Sequence, residues 1–149
     1  MSMDCDQNKA TVRLSQERFL PLGSNGTTAQ VWQIPVCIRY GNEVGEEREC
    51  SLLSQTQSSW TLKGRGCPTF LEGNDNAIGY YRTDYRGSLT AQLTKVANAR
   101  LSDPERVDFM GDIESLASAG KLPVADALGL AQDFAGDPER HVVQSALEV

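Results

Sequence analysis

His141 is the only imidazole in the 149 residues, and it falls in the first turn of what reads as the last helix. A hydrolytic zinc takes three protein ligands, often two of them one turn apart on a helix, so a histidine-based site cannot be assembled within one chain. His141 is read as a surface residue. The cysteines Cys5, Cys37, Cys50 and Cys67 are separated by 31, 12 and 16 residues, which matches neither a CxxC pair nor a zinc ribbon. Nucleophile chemistry is equally unsupported: no GxSxG elbow is present, and no second imidazole could serve a Ser or Cys. Gly64-Arg65-Gly66 has two glycines ahead of a strand and reads as a turn, not a phosphate loop. Glu43, Glu46, Glu47 and Glu49 crowd one turn but lack the EF-hand spacing and its glycine, so a solvated loop is expected. Asp75 and Asp84 as an acid–base pair find no supporting feature. Strand alternation sets Tyr81 and Tyr85 with Thr83 on one face and Tyr80, Arg82 and Asp84 on the other, which core packing explains. Arg82 and Arg106 are expected in structural pairing. The residues therefore yield no catalytic, cofactor-binding or metal-ligating set.

The elements that frame these residues come in two blocks. From Lys9 to Arg86 short β-rich runs alternate with polar turns, the pattern of an antiparallel β-sandwich. Six strands are expected: Ala10–Arg18, Trp32–Tyr40, Cys50–Gln55, Ser59–Lys63, Thr69–Glu72 and Gly79–Tyr85. In the second, Trp32, Ile34, Val36, Ile38 and Tyr40 share one face. Pro35 removes a ladder donor and predicts an edge at that point. Cys37 and Cys50 lie on neighbouring strands and could face each other; reduced, half-buried thiols are the expected state, with the redox compartment left open. Met1–Asn8 is polar, lacks the basic and apolar regions of a secretory signal, and is expected to be a disordered tail.

From Ser88 the period becomes helical, which puts a domain boundary at 86/87 and an all-α segment over 87–149. Ser88 begins the first helix, with Leu89, Leu93 and Val96 on its stripe. Ser102-Asp103-Pro104-Glu105 opens the second with a capping box, and Gly120 ends it. Pro123 opens the third, which turns Ala127, Leu130 and Phe134 inward, and Asp137 caps the fourth. Asp103-Pro104-Glu105-Arg106 recurs as Asp137-Pro138-Glu139-Arg140 after 34 residues, a spacing found in helix-pair solenoids. The charge of −6 is spread without a basic cluster, which argues against nucleic acid, and no apolar run approaches the length of a membrane span.

Four segments together resemble the region after the catalytic domain in gluzincin zinc aminopeptidases of the alanyl and puromycin-sensitive type, in a bacterial-like form. Gln16-Glu17-Arg18-Phe19 is similar to their first sandwich strand, and Trp32-Gln33-Ile34-Pro35 to a W-x-I-P strand. Asn76 to Tyr85 resembles an N-x-x-G-Y-Y-R-V-x-Y strand, with Thr83 in place of Val. Asp103 to Gly120 is similar to the opening of the family's helical domain, D-R-x-x-L-x-G-D-x-x-x-L-x-x-A-G. The family's GxMEN loop and HExxH helix have no counterpart here. The resemblance implies a noncatalytic spacer and the first four helices of a truncated cap over an active site held elsewhere. The parent would be a zinc-dependent aminopeptidase; a cytoplasmic location is expected, although the parent could be exported. The partners implied are its catalytic domain, peptide substrate only indirectly, and self-association through helix faces exposed around Val142, Val143 and Leu147. A free-standing protein-binding module with no enzymatic parent is the alternative.

Overall fold

The computed structural model describes residues 1–149. Two three-stranded antiparallel sheets precede four helices. In the first sheet β1 (Ser2–Asp6) pairs with β2 (Lys9–Ser15), and β2 with β5 (Gln57–Thr61). The start of the chain is therefore a strand, not the expected tail. Gln7 and Asn8 both take positive φ, 47° and 62°, which is the backbone of a two-residue hairpin turn. Met3 and Cys5 face the core from β1 while Asp4 and Asp6 face solvent, an alternation too short and too polar to stand out from composition.

β3 (Ile34–Gly41) is the centre of the second sheet, between β4 (Glu46–Leu53) and β6 (Phe70–Glu72). Val36, Ile38 and Tyr40 are buried as their parity predicts, whereas Trp32 lies before the strand and is exposed. β6 pairs only with Arg39–Gly41, so Pro35 has a neighbour on one side alone and removes no bond there.

Two corrections concern the cysteines and the last expected strand. Cys37 and Cys50 are paired across β3 and β4 in register and form a disulfide; Cys5 and Cys67 form a second, so the expected free thiols are absent. Gly79–Tyr85 is not a strand. Its side chains do the anchoring instead of a ladder: the Tyr81 hydroxyl donates to the Gly73 carbonyl at 2.8 Å and the Tyr85 hydroxyl to Glu72 at 3.1 Å. Its end runs beside Met1, whose ammonium donates to the Asp84 carbonyl at 2.6 Å.

The helices are α1 (Leu89–Arg100), α2 (Asp103–Ser118), α3 (Val124–Phe134) and α4 (Arg140–Glu148). Gly120 closes α2 at φ 67°, as expected of a glycine past a helix end. In α3 Ala127, Ala131 and Phe134 are buried, and Leu130 is only partly so. α4 starts later than its motif predicts: Glu139 is its cap, and Asp137 instead accepts from the Glu139 N–H at 2.8 Å. A single apolar cluster extends from Ala10 on β2 to Ala146 on α4, so the strand and helical blocks meet in one packed joint. Tyr85, Phe109 and Phe134 step through that joint with ring centroids 5.8 Å apart at each contact.

Candidate functional site

The polar chemistry of the chain concentrates where β3 and β6 meet the start of α2. Arg39 sits at a position that alternation assigns to the polar face, yet it is buried. Its guanidinium fork makes three separate contacts: Nε to Asp75 at 3.1 Å, Nη1 to Glu46 at 2.9 Å and Nη2 to Glu105 at 2.6 Å. Five fixed donors on one plane let a single arginine serve several carboxylates at once, and desolvation makes each bond costly to leave unmade.

Glu105 is the other centre of this joint. As the third residue of α2 it reaches back to the Ser102 N–H at 2.8 Å, and the Ser102 hydroxyl donates to the same carboxylate oxygen at 2.9 Å. Its second oxygen accepts from the Asn76 N–H at 2.9 Å. Burial pushes the Glu105 carboxyl up, but the bonds from Arg39, Ser102 and Asn76 outweigh it and hold the group below the ordinary carboxylate range. A helix cap legible in the sequence thus doubles as the bolt between sheet and helix, which the sequence does not reveal.

Behind this bolt lies a second set of carboxylates with little positive charge. Glu72 on β6 is buried, accepts from the Asn74 N–H at 2.9 Å and from Tyr85, and leaves Oε2 without a partner. Burial raises it to about 7, with Glu105 and Asp108 charges adding to the shift. Asp112 on α2 is also buried, and desolvation and the Asp108 charge push it well above the usual range.

The arginines expected in structural roles are found there. Arg82 donates to the Ser115 hydroxyl at 2.5 Å and stacks on Phe19 with its guanidinium carbon 4.6 Å from the ring centre. Arg106 donates to the Leu101 carbonyl at 2.8 Å, to Asp103 at 2.7 Å and to Asp137 at 3.1 Å. The arginine of the first Asp-Pro-Glu-Arg copy therefore grips the aspartate of the second, locking α2 to the start of α4.

Other candidates disperse. Asp75 belongs to the Arg39 clasp, whereas Asp84 pairs with Arg86. Of the acidic-turn residues, Glu46 joins Arg39 to Arg100, and Glu49 accepts from the Tyr40 hydroxyl and the Lys63 N–H, so two of the four work structurally from β4. His141 bonds Glu139 at 2.6 Å on the surface. Val142 is fully buried, Val143 half-buried and Leu147 exposed, so the expected exposed patch holds at one end only; Val124 and Leu128 of α3 are the other large apolar residues exposed on these helices.

A strand block bolted through one arginine to capped, stacked helices defines a structural module. Residues 70–149, more than half of the chain, match the ERAP1-like C-terminal domain family, and the chain belongs to that family. It is similar to a puromycin-sensitive aminopeptidase of Caenorhabditis elegans, 26% identical over 96% of this chain and 15% of that protein. A glutamyl aminopeptidase of Bitis rhinoceros is 28% identical over 85% of this chain and 14% of its own length. Aminopeptidase 2 of Candida albicans is 28% identical over 83% of this chain and 13% of its own. The chain thus spans about one-seventh of the length of these relatives. The residues present do not fit a hydrolytic zinc: every cysteine is in a disulfide, and the lone histidine is held by Glu139 on an exposed helix start.

Proposed function

We propose that this chain is a noncatalytic structural region of a zinc-dependent aminopeptidase, in which the strand block is a spacer and the helices begin a cap that limits access of peptides. The observation that carries this is the Arg39–Glu105 bolt at 2.6 Å, buried at the boundary of the two blocks. A spacer can set the position of a cap only if sheet and helix move as one body, and a desolvated, multiply bonded ion pair supplies that rigidity. Zinc, the catalytic residues and the direct contacts with peptide belong to the rest of that protein, whose catalytic domain is the partner. Two disulfides support folding in an oxidising compartment over the cytoplasm. No helix is long and apolar enough to cross a membrane.

The test uses the whole protein. Arg39→Met loosens the joint, and the ratio of kcat/KM for a long peptide to that for a dipeptide is expected to rise while dipeptide turnover holds. An unchanged ratio in a folded variant removes the cap role. The 149-residue chain alone is expected to leave aminoacyl anilides intact with or without added zinc; chelator-sensitive turnover by it would refute the noncatalytic reading.

A further inference from the structure

The two disulfides sit in opposite surroundings. Cys5 packs against the apolar cluster from β1, and its partner Cys67 lies in the exposed connection before β6. Cys37 and Cys50 lie outside that cluster, Cys37 half-buried and Cys50 exposed. β4 is an edge strand, so no further strand shields Cys50. Directly opposed residues of an antiparallel pair share one face of the sheet, and successive residues alternate between faces. The face that carries the Cys37–Cys50 bridge therefore carries Leu52 opposite Pro35 on one side of it and Arg48 opposite Arg39 on the other. Leu52, Pro35 and Arg48 are exposed, which leaves Cys50 open to a reagent from solvent.

Arg39 and Arg48 are two cations in directly opposed positions, and Asp75 spans them, with Oδ1 3.1 Å from Arg39 Nε and Oδ2 3.2 Å from Arg48 Nε. Arg39 also has Glu46 and Glu105, whereas Arg48 pairs with Asp75 alone. Positive charge beside a cysteine favours its thiolate. Disulfide exchange needs an accessible sulfur for the incoming thiolate and a leaving sulfur that can carry negative charge. Cys37–Cys50 has both, since Cys50 is open to attack and Cys37 leaves on the face of the two arginines. Cys5–Cys67 lacks the second, because attack on Cys67 expels a thiolate at the apolar cluster, where desolvation opposes the charge. Nor does the strand pairing depend on the exposed bridge: β3 and β4 are in register over eight residues, and the bridge closes 13 residues against 62 for the other, so its loss destabilises less.

We infer that Cys37–Cys50 is a thiol–disulfide exchange site, opened in the folded chain by a dithiol, while Cys5–Cys67 is a permanent structural bridge. The first thiolate of the dithiol attacks Cys50 Sγ, the bond between the two Sγ atoms breaks, and Cys37 takes the electron pair as a thiolate. The second thiolate of the dithiol then attacks the first in the mixed disulfide and releases Cys50. Two electrons pass to the bridge, the dithiol becomes a disulfide, and its two protons end on Cys37 and Cys50. The reduced chain keeps the strand ladder, but β4, which carries Glu46 and Arg48, loses its covalent tie to the strand of Arg39. The outer side of the Arg39–Asp75 clasp thereby answers to redox state.

Timed reduction of the full chain tests this, with dithiothreitol as the dithiol and the freed thiols alkylated and located by peptide mass mapping. Cys37 and Cys50 are expected to be labelled at least about tenfold faster than Cys5 and Cys67, as attack on an accessible sulfur with a stabilised leaving thiolate requires. The near-ultraviolet circular dichroism should persist meanwhile, and β4 amides should exchange with deuterium faster than before reduction, those of β2 at the same rate. A Cys-x-x-Cys dithiol protein whose second cysteine is replaced by serine should be captured as a mixed disulfide on Cys50. Rapid reduction by dithiothreitol without that capture keeps the site and assigns it to small dithiols. Equal labelling of the two pairs, or labelling that begins only as the near-ultraviolet signal is lost, overturns the inference.

Discussion

The strand block and the helical block are held together by different means. All four cysteines and both disulfides lie before residue 70, in two sheets of three strands each, and β6 has only three residues. Short sheets with open edges bury little surface, and covalent staples restrict the unfolded chain where packing cannot stabilise enough. The helices contain no cysteine. They satisfy their own backbones and use buried ion pairs, Arg39–Glu105 and Arg106–Asp137, to fix how they sit. Arg39 is the residue that belongs to both schemes, donated by the central strand and spent on the helix cap.

The comparison breaks most severely at that residue. Arg39→Met leaves Glu105 buried without its cation and Asp75 with Arg48 alone, and the expected loss is about 3–5 kcal/mol in denaturant unfolding. Next in size is the strand block's own device. Replacing Cys5 and Cys67 by Ser opens a loop of 62 residues and should cost about 4 kcal/mol, whereas the same change at Cys37 and Cys50 frees only 13 and should cost about 3. Near-ultraviolet circular dichroism of Tyr85, which packs on Phe109, reports whether the helical side survives each loss. If reduction of both bridges left the melting point unchanged, the contrast between the blocks would be wrong.

How far the sequence discloses this arrangement differs by block for a physical reason. Helix positions, the Ser102 start and the Gly120 stop follow from local signals, because a helix satisfies itself within a few residues. β1 and the Cys5–Cys67 bridge stay hidden, since a strand of mixed polarity becomes one only when its partner is present. Gly79–Tyr85 errs the other way: its β-rich run makes side-chain anchors, and no ladder forms. Arg39 is the clearest limit. Strand parity calls for a solvent-facing residue there, and only the approach of α2 from 66 positions downstream buries it.

A proton, too, separates the blocks. Glu72 titrates near 7 in the folded chain against 4.5 ordinarily, so between these values the folded state keeps a proton that the unfolded state releases. Its stabilising share is complete below about 4.5 and is lost as pH rises through about 7. The melting temperature should therefore fall from pH 5 to pH 8, by an amount worth up to about 3 kcal/mol. Glu72→Gln should flatten most of that slope and leave the part due to Asp112, whose shift has the same sign. A slope that Glu72→Gln does not alter would show that the joint tolerates the ionised group.

The smallest effect sharpens the comparison at its finest grain. Ser102→Ala removes one hydroxyl bond to Glu105 at 2.9 Å, and a lost cap of this kind costs about 1 kcal/mol. The Ser102 N–H, Asn76 and Arg39 still hold the carboxylate, so the joint should stay shut and the peptide-length ratio unchanged. Combined with Arg39→Met, however, the same substitution strips two of the four bonds from one buried charge. The two losses should then exceed their sum in a double-mutant cycle, because both act on Glu105. Strict additivity would mean that the cap and the bolt are independent, and that the helix start merely happens to lie beside the arginine.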